Sequence, residues 1–164
     1  MVEMTVFGLA LDEESQMPIL ILKDETDTHV LPIWIGAVEA MAISMAINKI
    51  AIPRPMTHDL ILNVMQEMGG HLDHVEILAI DKGTYYAALV ISTPRGIKRL
   101  DSRPSDSIAL ALKAGVSIMA SQSMLEQALS QKKVEYQEVI KGEDAKQWTE
   151  ILAKYNLDDI RFKM

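Results

Sequence analysis

The sequence predicts an α+β protein, in which a mostly antiparallel or mixed sheet packs against several helices in a single compact domain. Strand-like segments occur in two groups of three, and the connections inside each group are short. Short connections favour antiparallel neighbours, because parallel neighbours need a long crossover. Helical segments lie between the two groups and after the second. At 164 residues with 49% hydrophobic residues, the chain is long enough for one domain with its own core.

The first group of strands occupies the N-terminal part of the chain. Residues 2–11 alternate loosely and include β-branched and aromatic side chains, which is typical of a strand. Met17–Lys23 follows after a polar loop, with Pro18 near its start, where a missing N–H donor is tolerated. A polar turn then leads to a third predicted strand, His29–Ile35.

A first helix is predicted from Gly36 to about Ile50. One helical face combines Glu39 with five apolar residues, namely Ala42, Ile43, Ala46, Ile47 and Ile50. Two interpretations of Glu39 stay open: it complements the helix dipole while reaching solvent, or it points into a cleft, which is costly unless the carboxylate is paired. The small residues of this helix would also let a second subunit approach, so we expect a homodimer or a larger homo-oligomer.

A rigid connector precedes the second predicted helix. Prolines on both sides hold Arg54 in an extended conformation. Thr57 is a suitable N-cap, so His58 and Asp59 would lie in the exposed first turn, beside Arg54. The helix runs to about Met68 and is predicted to turn an apolar face toward the core, formed by Leu60, Ile61, Val64, Met65 and Met68.

The second group of strands leads directly into the third helix. Residues 71–81, 84–93 and 96–102 are predicted strands joined by glycine-containing turns. The last strand places Asp101 on the same face as Ile97 and Arg99.

The third helix begins at Pro104, whose fixed φ suits the first helical turn. Ser105 and Asp106 then share that turn, where an anionic side chain meets the positive end of the helix dipole. Ile108–Leu112 contains no polar residue, so the helix is predicted to be buried, and Gly115 ends it.

Shorter elements are predicted after the third helix. Val116–Ala120 is predicted as a short strand and Ser123–Leu129 as a helix, so residues 1–130 form the predicted domain. Residues 131–164 are predicted to be a C-terminal extension. Within it we expect an extended segment at Val134–Ile140 and a terminal amphipathic helix at Glu143–Tyr155.

Composition restricts the function classes. The formal net charge of −7 argues against a general nucleic-acid coat, although basic residues are concentrated in the middle of the chain. With no cysteine, there is no thiolate metal site and no cysteine nucleophile. No apolar run approaches the ~18 residues of a membrane helix and no signal peptide is evident, so we expect a cytoplasmic protein that does not enter a membrane.

Three charged motifs resemble those of a known family. They are Ile35-Gly-x-x-Glu-Ala-x-Ala-Ile43, Arg54-Pro-x-Thr-His-Asp59 and Asp101-x-Arg-Pro-Ser-Asp-x-Ile-Ala-Leu-Ala-Leu112. In this order and spacing they resemble the bifunctional nuclease (BFN) domain family, over roughly residues 1–130. Ser107 departs from the small apolar residue expected there. The resemblance implies an α+β, oligomeric protein, with deoxyribonuclease and ribonuclease activity attributed to some members.

A metal-assisted nuclease of low sequence specificity, acting on DNA, RNA or both, is the first functional hypothesis. Nucleases commonly use carboxylates that hold Mg²⁺ or Mn²⁺, or a histidine base, and arginines can bind phosphate through two hydrogen bonds. The candidate catalytic residues are Glu39, His58, Asp101 and Asp106, of which Asp101, Asp106 and Glu39 are also the candidate metal ligands. The candidate substrate-binding residues are Arg54, Asp59, Arg103 and Ser105. No organic cofactor is expected.

The alternative is a non-enzymatic homo-oligomer that binds a small anionic ligand. In that case Arg54 and Arg103 neutralise Asp101, Asp106 and Glu39 in a salt-bridge network that holds a strand to two helices. Three further histidines, His29, His71 and His74, are interpreted as surface residues without matching partners.

Overall fold

The computed structural model of the protein describes residues 1–12 and 15–131. In that part of the chain it contains seven strands and four helices. The strands are β1 (Val2–Leu11), β2 (Pro18–Asp24), β3 (Val30–Trp34), β4 (His71–Asp81), β5 (Thr84–Thr93), β6 (Gly96–Ser102) and β7 (Ile118–Ala120). The helices are α1 (Ala37–Ile47), α2 (Thr57–Glu67), α3 (Pro104–Ala114) and α4 (Gln122–Gln131). The α+β prediction is confirmed.

All seven strands form one mixed sheet in the order β3-β2-β1-β7-β4-β5-β6. Each group of three consecutive strands is antiparallel, as the short connections predict. The last strand, β7, joins the two groups by pairing antiparallel with β1 and parallel with β4. The sheet is therefore continuous, although its two halves come from separate parts of the chain.

The third helix, α3, lies at the centre of the core. Ile108 and Ala109 are completely buried, and Leu110 and Ala111 are almost so, which confirms the buried helix predicted from the run without polar residues. Gly115 ends it in the left-handed conformation with φ 69°, which glycine adopts without steric cost.

The two halves of the sheet approach each other on one side of the molecule. The Tyr85 hydroxyl on β5 donates a hydrogen bond of 3.4 Å to the carbonyl of Pro32 on β3, although β3 is an edge strand and β5 belongs to the other half. This approach forms the cleft described below.

The apolar face of the first helix is only partly buried, and the predicted inward face of the second helix is partly wrong. In α1 the buried residues are Ala40, Ile43, Ser44 and Met45, whereas Ile47 and Ile50 are exposed. In α2 no residue is fully buried, and Leu60, Ile61, Val64 and Met68 face solvent. Only Leu62 and Met65 of α2 pack on the core cluster.

The predicted elements of the extension, at Val134–Ile140 and Glu143–Tyr155, lie outside the described residues. Within the described chain, no helix is long and apolar enough to cross a membrane.

Candidate functional site

The first turns of three helices meet at Arg103, the N-cap residue of α3. Its Nε lies 2.6 Å from Oδ2 of Asp106, and its Nη2 lies 3.2 Å from Oδ1 of the same carboxylate. Its Nη1 donates a 2.9 Å hydrogen bond to Oε1 of Glu39, in the first turn of α1. One guanidinium therefore bridges two carboxylates from separate helices.

His58 adds the first turn of α2 to this arrangement. Its Nε2 lies 3.1 Å from Oδ1 of Asp106. We call Glu39, His58, Arg103 and Asp106 the Arg103 cluster; it contains one or two residues from each of the three charged motifs. The side chain of His58 is 15% exposed and that of Arg103 is 65% exposed, so the cluster opens to solvent on the arginine side.

Gly36 makes the position of Glu39 possible. It is the N-cap of α1, and a Cβ atom at this position would overlap Oε2 of Glu39. The backbone of Gly36 is in an ordinary extended conformation, with φ −78° and ψ 166°. The glycine therefore leaves room for the carboxylate in its observed position, and its own backbone angles do not call for glycine.

The cluster favours the ionised form of the Asp106 carboxylate. Burial alone would raise the pKa of Asp106, but hydrogen bonds from Arg103 and His58 outweigh burial and lower it below the ordinary aspartate value. Reciprocally, the hydrogen bonds to Asp106 and Glu39 raise the pKa of Arg103. The Arg103 guanidinium is thus paired with the Asp106 carboxylate on one side and the Glu39 carboxylate on the other.

An open cleft of about 330 Å³ lies beside the cluster. Glu39, Arg103 and Ser105 contribute its charged and hydroxyl-bearing groups from α1 and the start of α3. The opposite walls come from the end of β3 and from the β4–β5 turn, with Trp34 and Tyr85 as the aromatic residues. Ser105 is only 7% exposed, and none of the hydrogen bonds found among the described residues involves its hydroxyl.

Asp59 lies one residue from His58 but has a different role. Its Oδ2 accepts a 3.0 Å hydrogen bond from the backbone N–H of Met56, and its Oδ1 lies 2.6 Å from Nζ of Lys113 on α3. Burial alone would raise the pKa of Asp59, but the hydrogen bonds from Lys113 and Met56 outweigh burial and lower it below the ordinary aspartate value. Met56, and not Thr57 as predicted, is the N-cap of α2.

The structure does not bring Arg54 and Asp101 into the cluster. Both are exposed, and no hydrogen bond or ion pair joins either of them to another described residue. Asp101 lies on the edge strand β6, opposite Ala88 of β5.

The placement of these residues also bears on the predicted metal site. Within residues 1–12 and 15–131, no three histidine, aspartate or glutamate side chains form a group that could hold a metal ion. The guanidinium of Arg103 lies where a cation bridging Glu39 and Asp106 would have to lie. The residues as placed do not fit a metal-ligand set, so a role for Mg²⁺ or Mn²⁺ stays a prediction.

Sequence reasoning missed several ion pairs. His74 contacts Asp73 and Glu76, and Glu76 accepts two hydrogen bonds from Arg99. Alternation along β4 already places His74 and Glu76 on one face, which was the available signal. His29 likewise contacts Asp24 at 2.8 Å. The interpretation of His29 and His74 as residues without partners is therefore wrong.

Comparison with known proteins agrees with the three motifs. The family model described as "Bifunctional nuclease domain" matches residues 20–133. Two proteins of Mycobacterium tuberculosis, from strains CDC 1551 and H37Rv and both described as uncharacterized, are each 40% identical to the chain over 126 residues. The alignments cover 77% of this chain and 75% of each relative. The protein belongs to the bifunctional nuclease domain family.

Proposed function

We propose that the protein hydrolyses phosphodiester bonds of DNA, RNA or both, with low sequence specificity, at the Arg103 cluster. The observation that carries this proposal is the pairing of His58 with Asp106, on a carboxylate that also binds Arg103, beside an open cleft. This combination supplies a histidine base, a carboxylate that orients it, and a guanidinium that can bind phosphate. The family description supports nucleic acid as the substrate.

Each residue of the cluster has a distinct proposed role. When His58 is neutral and donates Nε2–H to Asp106, its Nδ1 is left as an acceptor for the proton of an attacking water or hydroxyl. Asp106 holds the imidazole and stabilises it once it is protonated. Arg103 uses Nε and one N–H of each terminal nitrogen for the carboxylates, so both terminal nitrogens keep an N–H for phosphate oxygens. Glu39 fixes the guanidinium from the other side, and Ser105 offers a hydroxyl donor.

The test compares site variants with matched variants elsewhere. His58→Gln and Arg103→Lys are assayed on labelled DNA and RNA oligonucleotides beside His71→Gln and Arg95→Lys, because His71 and Arg95 are exposed residues outside the cluster. We expect rate losses of about 100-fold or more for the site variants, which is the usual size of a general-base contribution, and wild-type rates for the controls.

Each assay is run with EDTA, Mg²⁺ and Mn²⁺, which tests metal assistance separately. Wild-type protein free of contaminating nucleases that cuts neither DNA nor RNA in any of these conditions would contradict the proposal. Site variants that keep wild-type rates would also contradict it.

A second candidate function is a non-enzymatic protein that binds a small anionic ligand. The observation that favours it is that the four side chains of the cluster already pair with one another within the protein. Asp106→Ala distinguishes the two. The nuclease proposal expects a melting temperature within a few degrees of wild type and loss of cleavage, whereas a purely structural network expects a large fall in melting temperature. Light scattering tests the accompanying prediction of a homodimer or larger homo-oligomer.

A further inference from the structure

The cleft beside the Arg103 cluster combines two aromatic side chains at its outer walls with an arginine and a hydroxyl at the helix side. We propose that this cleft binds one unpaired nucleotide, with the base against Trp34 and Tyr85 and the phosphate at Arg103 and Ser105. The substrate class is therefore single-stranded nucleic acid or an unpaired strand end. This inference rests on the proposed function, because it places the substrate of the same site.

The size of the cleft favours a single nucleotide. Its volume of about 330 Å³ is at the lower end of the range for small-molecule pockets, which hold ligands of roughly nucleotide size. A base inside a duplex is stacked and paired, so it reaches such a cleft only after it leaves the helix, which costs unpairing and unstacking energy. A base that is already unpaired avoids this cost.

The two aromatic residues belong to different strands and line the same cleft. Trp34 is the last residue of β3, and Tyr85 is near the start of β5. The hydrogen bond from the Tyr85 hydroxyl to Pro32 ties the tyrosine to β3. Gly36 and Gly83 also line the cleft and add no side chains to it. Stacking on aromatic rings accepts every base, which agrees with low sequence specificity.

The helix side of the cleft carries an arginine and a hydroxyl that can bind a phosphate, beside the Glu39 carboxylate, which is paired with Arg103. Ser105 lies in the first turn of α3, 93% buried within the protein, with a hydroxyl that the described residues leave without a hydrogen-bond partner. The Ser105 hydroxyl lines the cleft, so it can donate a hydrogen bond to a phosphate oxygen placed there. Arg103 lies next to it in sequence and also lines the cleft. The positive end of the α3 dipole adds to the attraction.

A binding experiment tests the subsite directly. The chain has two tryptophans, so in a Trp148→Phe background the fluorescence comes from Trp34 alone. We expect AMP to quench this fluorescence in a saturable titration, and ribose 5-phosphate, which lacks a base, to bind at least 10-fold more weakly in competition. Tyr85→Leu should weaken AMP binding by about 5-fold to 100-fold, the range of one stacking contact. The matched variant Tyr86→Leu changes the neighbouring residue, which is 45% exposed and does not line the cleft, and should bind AMP normally.

A cleavage experiment separates this inference from the proposed function. We expect a single-stranded oligonucleotide to be cut at least 10-fold faster than the same sequence in a duplex, and Tyr85→Leu or Trp34→Phe to reduce this ratio. Equal rates on both substrates, or AMP binding that is unchanged in Tyr85→Leu, would overturn the nucleotide subsite while leaving the nuclease proposal intact. Saturable AMP binding without any cleavage would overturn the nuclease proposal instead.

Discussion

The imidazole of His58 and the carboxylate of Asp106 lie 3.1 Å apart, although 48 residues separate them in the sequence. This contact joins the first turn of α2 to the first turn of α3. Because α2 has no fully buried residue, its polar contacts with α3 add to the packing of Leu62 and Met65 in attaching it to the domain. Residues at the start of α2 therefore affect both the stability of the protein and the geometry of the candidate site.

Substitutions of Asp59 test the effect on stability, because Asp59 lies at the start of α2 but outside the Arg103 cluster. Asp59→Ala removes the bond that caps α2 and the ion pair with Lys113, and we expect the free energy of unfolding to fall by about 1–2 kcal/mol, the usual cost of losing a helix cap. Asp59→Asn keeps a side-chain oxygen for the Met56 N–H and should cost less than half as much. Urea unfolding measures both values. Equal costs for the two variants would show that the charge, and not the capping bond, is what matters.

Gly36→Ala tests the fit between Gly36 and Glu39. At the N-cap of a helix alanine is less favourable than glycine by about 1 kcal/mol, so this substitution lowers the free energy of unfolding even without a clash. Here the new Cβ would also displace the Glu39 carboxylate and weaken its bond to Arg103, so we expect a further loss of stability in urea unfolding and a reduced cleavage rate. In a Glu39→Ala background the same substitution should cost less stability than in the wild type. Equal costs in the two backgrounds would show that the carboxylate is not confined as the structure places it.

The positions of the strands and of α3 could be predicted closely from the sequence. Alternation and turn residues give β4, β5 and β6 with the observed ends, and Pro104 and Gly115 mark both ends of α3. These signals are local, because each depends on the conformational preferences of a few neighbouring residues.

The inward faces of the helices could be predicted less accurately than the ends of these elements. Periodicity in α2 identifies a stripe that includes Leu60, Val64 and Met65. The structure packs Met65 on the core as predicted, but it exposes the rest of the stripe and packs Leu62 in its place. Which face turns inward depends on the partner helix, and the contacts of His58 and Asp59 with α3 fix that rotation.

The candidate site was predictable only in part for the same reason. Each motif places a charged residue at a helix start, so the sequence already indicates Glu39, His58 and Asp106. Only the packing of α1 and α2 against α3 shows that Arg103 bridges Glu39 and Asp106. The same packing shows that Asp101, on β6, lies outside the cluster. The Asp106–Arg103 pair itself is local, at a separation of three residues.

Ser107→Ala should stabilise the protein. The Ser107 side chain is completely buried in α3, and among the described residues its hydroxyl has no hydrogen-bond partner. Removing such a group relieves a desolvation cost of about 1–3 kcal/mol, and alanine is also a better helix former. We expect a rise of about 1 kcal/mol in the free energy of unfolding. As a control, Ser44→Ala removes a buried hydroxyl that accepts a 3.3 Å hydrogen bond from Asn48, and it should not stabilise the protein.

The stability of the protein should depend on pH through His74. Its Nδ1 lies 2.7 Å from Asp73 and its Nε2 lies 3.2 Å from Glu76, and only the protonated imidazole can donate to both carboxylates. Burial alone would lower the pKa of His74, but these two bonds raise it above its ordinary value of 6.5. Because the folded-state pKa is the higher one, the stabilisation is fully present below about pH 6.5 and is lost as the pH rises through the folded-state pKa.

Titration of the histidine ring signals by NMR and urea unfolding at several pH values measure this effect. We expect Asp73→Asn to lower the pKa of His74 and to flatten the decline of the free energy of unfolding above pH 6.5, because one of the two acceptors loses its charge. Asp81→Asn is the matched control, since Asp81 lies at the far end of the same strand and does not contact His74. A His74 pKa at or below 6.5 in the wild-type protein would show that burial outweighs the two carboxylates.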